Sequence, residues 1–167
     1  PRSKTILIQG SGVDLNEYLA SPLPNGIPVV MMATRLLVDK GVHEFIEAAA
    51  LLKDRGTIAR FVLVGNPDPG NPATISDGEL NHWLSEGLIE YWGRREDMPY
   101  VLSLSHIVVL PSYMEGLPKI LIEAAACGRP VVTTNVPGCR DAIIANTTGV
   151  LIPLRDPLAI ADTVDML

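Results

Sequence analysis

From residue 28 onward the chain alternates short apolar, β-rich runs with helical patterns, and few folds accommodate that rhythm. The runs are PVVMMA (28–33), ARFVLVG (59–65), IEYWG (89–93), HIVVLP (106–111), PVVTTN (130–135) and GVLIP (149–153). Between them lie helical patterns at 41–56, 76–87, 97–105, 118–128 and 138–145. Such alternation indicates a parallel sheet covered by helices on both faces. The expected fold class is therefore α/β, a doubly wound Rossmann-like parallel sheet. The stretch NPDPGNPATISDG (66–78) holds too much Pro and Gly for regular structure and reads as a long loop after the second run.

At 167 residues the chain is the size of one domain, residues 1–167, built around a single core. Hydrophobic residues make up 47% and charged ones 19%, which is a globular interior and not a disordered tail. A net charge of −6 argues against nucleic acid, which demands a basic stripe. Cys127 and Cys139 match no metal spacing and suit a reducing cytosol. No apolar run approaches the ~20 residues that span a bilayer, so no direct membrane insertion is expected. Residues 1–27 read differently, as an incoming strand (KTILIQG) and a hinge loop (SPLPNGIP) from a preceding domain. The last residues, PLAIADTVDML, read as a helix still in progress, so we expect a piece of a longer protein.

Doubly wound sheets bind ligands beyond the carboxyl ends of their strands. The informative loops therefore begin at Ala33, Gly65, Gly93, Pro111 and Asn135. In EGLPKILIE (115–123), Pro118 suits a first helical turn, and the helix mouth offers the amides of Gly116, Leu117 and Lys119 to an anionic or polyhydroxyl ligand. Glu115 stands at that mouth. Glu123 lies about a turn and a half further in, among Ile, Leu and Ala, where a carboxylate needs donors such as a ribose diol. For either glutamate alone, a cap or a carboxylate satisfied by backbone or a core arginine is an equal reading.

In ATRLLVDKG (33–41), Arg35 and Lys40 share one strand-to-helix loop and together suit a diphosphate clamp, although lone loop cations are usually just solvated. In YWGRRED (91–97), Gly93 admits close approach of a flat base, and Arg94 or Arg95 can stack on it; a plain charged turn carries equal weight. Gly65 ends its strand in the same way, as a nucleotide-admitting position or a simple turn. Other features fail. GSG (10–12) is followed by Leu15 where a dinucleotide fingerprint needs glycine, and no Walker-type Lys-Ser/Thr pair occurs. His43, His82 and His106 have no metal or triad spacing, while Trp83 and Trp92 read as core anchors.

Taken in order, these stretches resemble the retaining GT-B glycosyltransferases of family four (group 1). EGLPKILIE resembles their E-x7-E signature, GSGVDL their hinge motif, ATRLLVDKG their R-x4-K phosphate loop, FVLVG their second core strand, and EAAACGRPVVTTNVPG the stretch after the signature. The resemblance runs from about Gly10 to Asp156. It implies the C-terminal, nucleotide-sugar-binding half of a two-domain enzyme, cytoplasmic or membrane-peripheral when complete. Its implied catalytic residues are Glu115, on the donor sugar's hydroxyls, with Arg35 and Lys40 on the diphosphate. Donor-binding groups implied alongside are Gly116, Leu117, Pro118, Lys119, Glu123 on the ribose, and Gly65, Gly93, Arg94 and Arg95 around the base. The family needs no metal and no cofactor beyond its donor, here with a UDP-sugar favoured. It implies retaining transfer to a sugar or lipid-linked acceptor held by the N-terminal domain, in bacterial polysaccharide or lipid-linked glycan synthesis. This half alone is then expected to be inactive. An epimerase of the same architecture and a non-catalytic nucleotide-sugar-binding module are the alternatives; intact Arg35, Lys40, Glu115 and Glu123 weigh against decay.

Overall fold

The computed structural model of the chain describes Gly10 and residues 12–167. The incoming strand expected at KTILIQG therefore lies outside the described residues, apart from Gly10. Beyond it, six strands and six helices alternate: β1 (Val29–Ala33), α1 (Val42–Asp54), β2 (Arg60–Val64), α2 (Asp77–Ser85), β3 (Glu90–Tyr91), α3 (Met98–Ser103), β4 (Ile107–Leu110), α4 (Lys119–Ala126), β5 (Val131–Thr134), α5 (Pro137–Asp141), β6 (Gly149–Ile152) and α6 (Pro157–Met166). A 3-10 turn, Val38–Lys40, precedes α1.

The strands form one parallel sheet in the order β3-β2-β1-β4-β5-β6. β1 sits at the centre, with Val30 opposite both Phe61 and Ile107. The chain winds outward from β1 in one direction, returns, and winds outward from β4 in the other. The inner strands are apolar at nearly every position because helices cover both faces: Val30, Met31, Met32, Val62, Leu63, Val108, Val109, Val131 and Val132 are all inaccessible to solvent. On one face α1 packs along α6, burying Val42, Phe45, Ile46, Ala49 and Leu52 at helical spacing, with Phe45 tilted against Phe61 at 5.3 Å between ring centres. Trp83 is buried, and Trp92 is half-buried against the core.

Two elements are shorter than the sequence pattern predicts. The helix expected over 138–145 ends at Asp141, because the Ile144 carbonyl accepts the amides of Thr147 and Thr148 in a turn that places Asn146 at φ +59°. The run at 89–93 pairs as a strand only at Glu90–Tyr91, and Gly93 serves instead to accept the amide of Gly65.

Among the described residues the segment before β1 forms no strand, yet it is anchored. Arg129 is 1% exposed and has no carboxylate among its partners. Its guanidinium donates to the carbonyls of Leu102 (3.1 Å), Ser21 (2.9 Å) and Pro22 (3.1 Å) and to the Ser21 hydroxyl (2.6 Å). Burial lowers its pKa from the ordinary value. His106 accepts the Val29 amide at Nδ1 (3.0 Å), so the proton sits on Nε2 and is donated to the Pro24 carbonyl (2.9 Å). Together these side chains tie the arm to the amino edge of the sheet.

Replacing Arg129 by leucine orphans several buried carbonyls and is expected to cost about 3 kcal/mol or more. Lysine keeps the charge but lacks the planar fork, so Arg129→Lys is expected to recover less than half of that loss. Urea denaturation of both variants checks this: full rescue by lysine would show that charge, not the hydrogen-bonding fork, anchors the arm.

Candidate functional site

The loop from β4 to α4 carries the first glutamate. Its near end is fixed by Thr134, whose hydroxyl donates to the Ser112 carbonyl, and by the Tyr113 amide, which donates to the Asp39 carbonyl at 2.8 Å. Glu115 then accepts from Lys40 at 2.8 Å, with the two side chains 16% and 13% exposed. Partial burial makes the pair stronger than a surface contact and makes loss of either partner costly. Lys40 has three N–H donors and uses one on Glu115, so it retains capacity for another anion.

The far side of this loop is packed by α5. A methyl group on Gly138 would lie 2.3 Å from the carbonyl oxygens of both Glu115 and Gly116. Only a glycine allows that approach, so the loop that carries Glu115 rests directly on α5. Cys139 beside it is inaccessible, and burial pushes its thiol pKa up. A buried thiol of that kind is a packing residue.

Pro118 does not enter the first turn of α4. It is the N-cap, in extended conformation (φ −71°, ψ 113°), and supplies no side-chain cap. Its ring fixes φ at a helix-compatible value, but ψ is extended, so the helix starts only at Lys119. Among the described residues, the amides of Gly116, Leu117 and Lys119 are donated to no protein acceptor, so they are available at the helix mouth.

Glu123 is 8% exposed and faces a cleft rather than the core. Lys119 approaches it at 3.7 Å from one turn earlier. Tyr18 of the anchored arm stands on its other side: burial and the Glu123 charge push the Tyr18 hydroxyl pKa up to about 12. The cleft measures about 510 Å³ and opens beyond the carboxyl ends of β1 and β2, next to the switch point between β1 and β4, with α4 as its far wall. Arg35, Gly65, Arg94, Arg95, Ile120 and Glu123 all line it.

Each cation of the cleft has an acidic partner. Arg35 lies 3.3 Å from Asp68 and Arg94 3.3 Å from Glu96, through single contacts, whereas Arg95 holds Asp97 through two hydrogen bonds of 2.8 and 2.6 Å. Exposed single-contact pairs contribute about 0–1 kcal/mol each, so an incoming anion displaces Arg35 and Arg94 at small cost, and Arg95 is the most firmly held of the three. The Asp68 loop is itself ordered: Leu36 donates to Asn66, Ile75 to Leu36, Val38 to Ala73, and Asp68 to the Thr74 hydroxyl at 2.7 Å. Gly65 is required by packing, since a methyl group there would lie 1.8 Å from the Thr34 carbonyl oxygen. Gly93, at φ +64°, faces open space.

The sequence-predicted residues thus form two neighbouring groups. Arg35, Gly65, Arg94, Arg95 and Glu123 line the cleft, with Gly93 bonded behind Gly65. Lys40 and Glu115 are paired, and Gly116, Leu117, Pro118 and Lys119 lead from them to α4. Asp68, Gly138, Tyr18 and Tyr113 were not singled out by the sequence; only the position of Tyr113, two residues before Glu115, offered a signal. Among the described residues, no group of three His, Cys, Asp or Glu side chains is arranged to hold a metal, and no helix is long and apolar enough to cross a membrane.

Residues 27–167 match the family model described as glycosyl transferases group 1. The chain is 38% identical over 140 residues, 84% of its length, to the N,N'-diacetylbacillosaminyl-diphospho-undecaprenol alpha-1,3-N-acetylgalactosaminyltransferase of Campylobacter jejuni, and it spans 35% of that protein. It is 31% identical over 174 residues to the putative colanic acid biosynthesis glycosyltransferase WcaL of Escherichia coli K12, covering 96% of this chain and 41% of WcaL. Its fold matches that of Anabaena HepE, solved in complex with UDP and glucose, with a TM-score of 0.79 and 23% identity over 93% of this chain and 45% of HepE. The chain therefore spans well under half the length of these proteins.

The packing of Gly138 against Glu115 is open to direct measurement. Gly138→Ala is expected to lower stability by about 1–3 kcal/mol, because backbone and not a flexible side chain must move. Chemical denaturation of the variant, with an unchanged midpoint as the contrary result, checks it.

Proposed function

The chain belongs to the group 1 glycosyl transferases, and we propose that it is the half of such an enzyme that binds a nucleotide-diphosphate sugar. The observation that carries this reading is the juxtaposition at the sheet's switch point. A cleft lined by Arg35, Arg94, Arg95 and Glu123 lies beside a partly buried Lys40–Glu115 pair and a helix mouth with free amides. In this reading Glu123 accepts the ribose hydroxyls, with Tyr18 and Lys119 holding its carboxylate toward the cleft. The base lies over Gly93 and against Gly65, Arg94 and Arg95. Arg35 leaves Asp68 for the diphosphate, and Lys40 reaches the same phosphates with the donors that Glu115 does not use.

The chemistry follows from those placements. Breaking the sugar–phosphate bond leaves negative charge on the departing nucleoside diphosphate, and Arg35 with Lys40 stabilises it in place. The amides of Gly116, Leu117 and Lys119 add fixed partial positive charge at the mouth of α4. Glu115, oriented by Lys40, accepts from the sugar's hydroxyls and so sets its face toward the incoming acceptor hydroxyl. Transfer with retained configuration then requires an acceptor domain that supplies the nucleophile. The Campylobacter relative is named for a polyprenyl-diphosphate-linked acceptor and WcaL for colanic acid synthesis. Those names favour a lipid-linked or polysaccharide acceptor for the complete protein, at the cytoplasmic membrane face, and the UDP in HepE favours a UDP-sugar donor.

Calorimetric titration with UDP, GDP and ADP tests the reading. UDP is expected to bind most tightly, and Glu123→Ala and Lys40→Ala are each expected to weaken it about tenfold, the worth of one charge-assisted hydrogen bond. Absence of binding, or variants that bind as the parent does, would refute the site. Separately, incubation of residues 1–167 with UDP-sugar and acceptor is expected to give no transfer; measurable turnover would show that this half needs no partner domain.

A further inference from the structure

The Lys40–Glu115 pair joins two segments that are cross-linked a second time, close by, through groups with no place in the donor site. Tyr113, two residues before Glu115, donates its hydroxyl to Glu44 Oε1 at 2.5 Å. Glu44 lies in the first turn of α1, four residues after Lys40, and is 8% exposed. Its second oxygen, Oε2, is buried and has no hydrogen-bond partner among the described residues. The same two segments meet along their backbones, where the Asp39 carbonyl accepts both the Tyr113 amide (2.8 Å) and the Ser112 hydroxyl (3.2 Å). On the outer side Arg155 lies over the Tyr113 ring, 4.6 Å from its centre, held there by a backbone at φ +55°.

A buried carboxylate with one oxygen unsatisfied is a costly arrangement. For core stability alone an apolar pair in place of Tyr113 and Glu44 would serve as well or better. What the polar pair adds is a fixed distance between the turn that carries Lys40 and the loop that carries Glu115. We propose that Tyr113, acting through Glu44, is a positioning residue that holds the Lys40 ammonium and the Glu115 carboxylate in their paired geometry. The consequence for donor binding rests on the reading given above, in which those two groups meet the diphosphate and the sugar. Burial and the Glu44 contact push the Tyr113 hydroxyl pKa up to about 12, so the phenol keeps its proton and its donor role across the physiological range.

The state of the Lys40 ammonium can be observed without any ligand. In a protonated lysine held by an ion pair, the side-chain 15N resonance is resolved and slow to exchange; its assignment to Lys40 follows from its loss in Lys40→Arg. In Tyr113→Phe and Glu44→Ala this resonance is expected to broaden or vanish well below the unfolding temperature, while the backbone amide spectrum stays folded. In Glu44→Gln, whose amide oxygen still accepts from the tyrosine hydroxyl, it is expected to persist. A Lys40 resonance unchanged in Tyr113→Phe, or lost equally in Glu44→Gln, would overturn the positioning role. In parallel, titration with UDP-glucose is expected to show affinity falling about tenfold in Tyr113→Phe and staying within about twofold in Glu44→Gln. If the parent chain binds no UDP-glucose at all, the donor reading fails, and the ammonium signal alone decides whether Tyr113 positions the pair.

Discussion

Everything at the site follows from the reversal of strand order between β1 and β4. The chain leaves β1 toward one edge of the sheet and leaves β4 toward the other, so the two loops part and a crevice opens between them. The β1 loop brings Arg35 and Lys40 to that crevice, and the β4 loop brings Glu115 and the mouth of α4. Because both strands are fully buried and pair in register, Val30 with Ile107 and Met31 with Val108, the bases of the two loops are rigid. What remains adjustable is the loops' upper parts, and there the polar cross-links of Lys40 to Glu115 and Tyr113 to Glu44 take over.

The two groups of charges differ in how firmly they are held. Lys40 and Glu115 are mostly shielded and close, so their separation is built into the protein. Arg35, Arg94 and Arg95 are paired with Asp68, Glu96 and Asp97 at the surface, where water screens the attraction. In the donor-binding reading proposed above, a site that orients a sugar yet admits and releases a multiply charged nucleotide benefits from that division. The rigid pair supplies orientation. The loose cations supply charge that can be redirected at little cost, and their acidic partners keep the empty cleft from being strongly positive, in keeping with a chain whose net charge is −6.

Most of the framework was legible in the sequence because its signals are local. Continuous apolar runs such as VVMM and IVVL identify buried parallel strands, and the strand ends at Ala33, Val64 and Leu110 follow from where those runs stop. The pairing of Lys40 with Glu115 was not legible, since it joins residues 75 positions apart that meet only through β1–β4 adjacency. Gly65 shows the limit from the other side: its strand-end position suggested ligand access, and it does line the cleft, but the close approach of the Thr34 carbonyl, which by itself forbids a side chain there, has no local sequence signal. Pro118 looked like a first-turn proline and is a cap, a difference of one residue that sequence does not resolve. Arg129 and Tyr113 escaped notice for a common reason. Each acts on partners distant in sequence, and apart from Tyr113's place two residues before Glu115 no local pattern marks either of them.

The arm before β1 belongs to the same account. It contributes no strand among the described residues, yet Arg129 and His106 spend buried hydrogen bonds on the carbonyls of Ser21, Pro22 and Pro24. A free guanidinium prefers water, so enclosing one among carbonyls is sensible only if the segment it holds must stay in one place. That segment carries Tyr18 to Glu123, whose charge adds to burial in pushing the Tyr18 hydroxyl pKa up to about 12. The cleft itself is lined from the ends of β1 and β2, the loops that follow β1, β2 and β3, and α3 and α4, so the arm reaches Glu123 from outside that lining. Movement of the arm relative to α4 would change the surroundings of Glu123, and Arg129 holds the arm at Ser21 and Pro22.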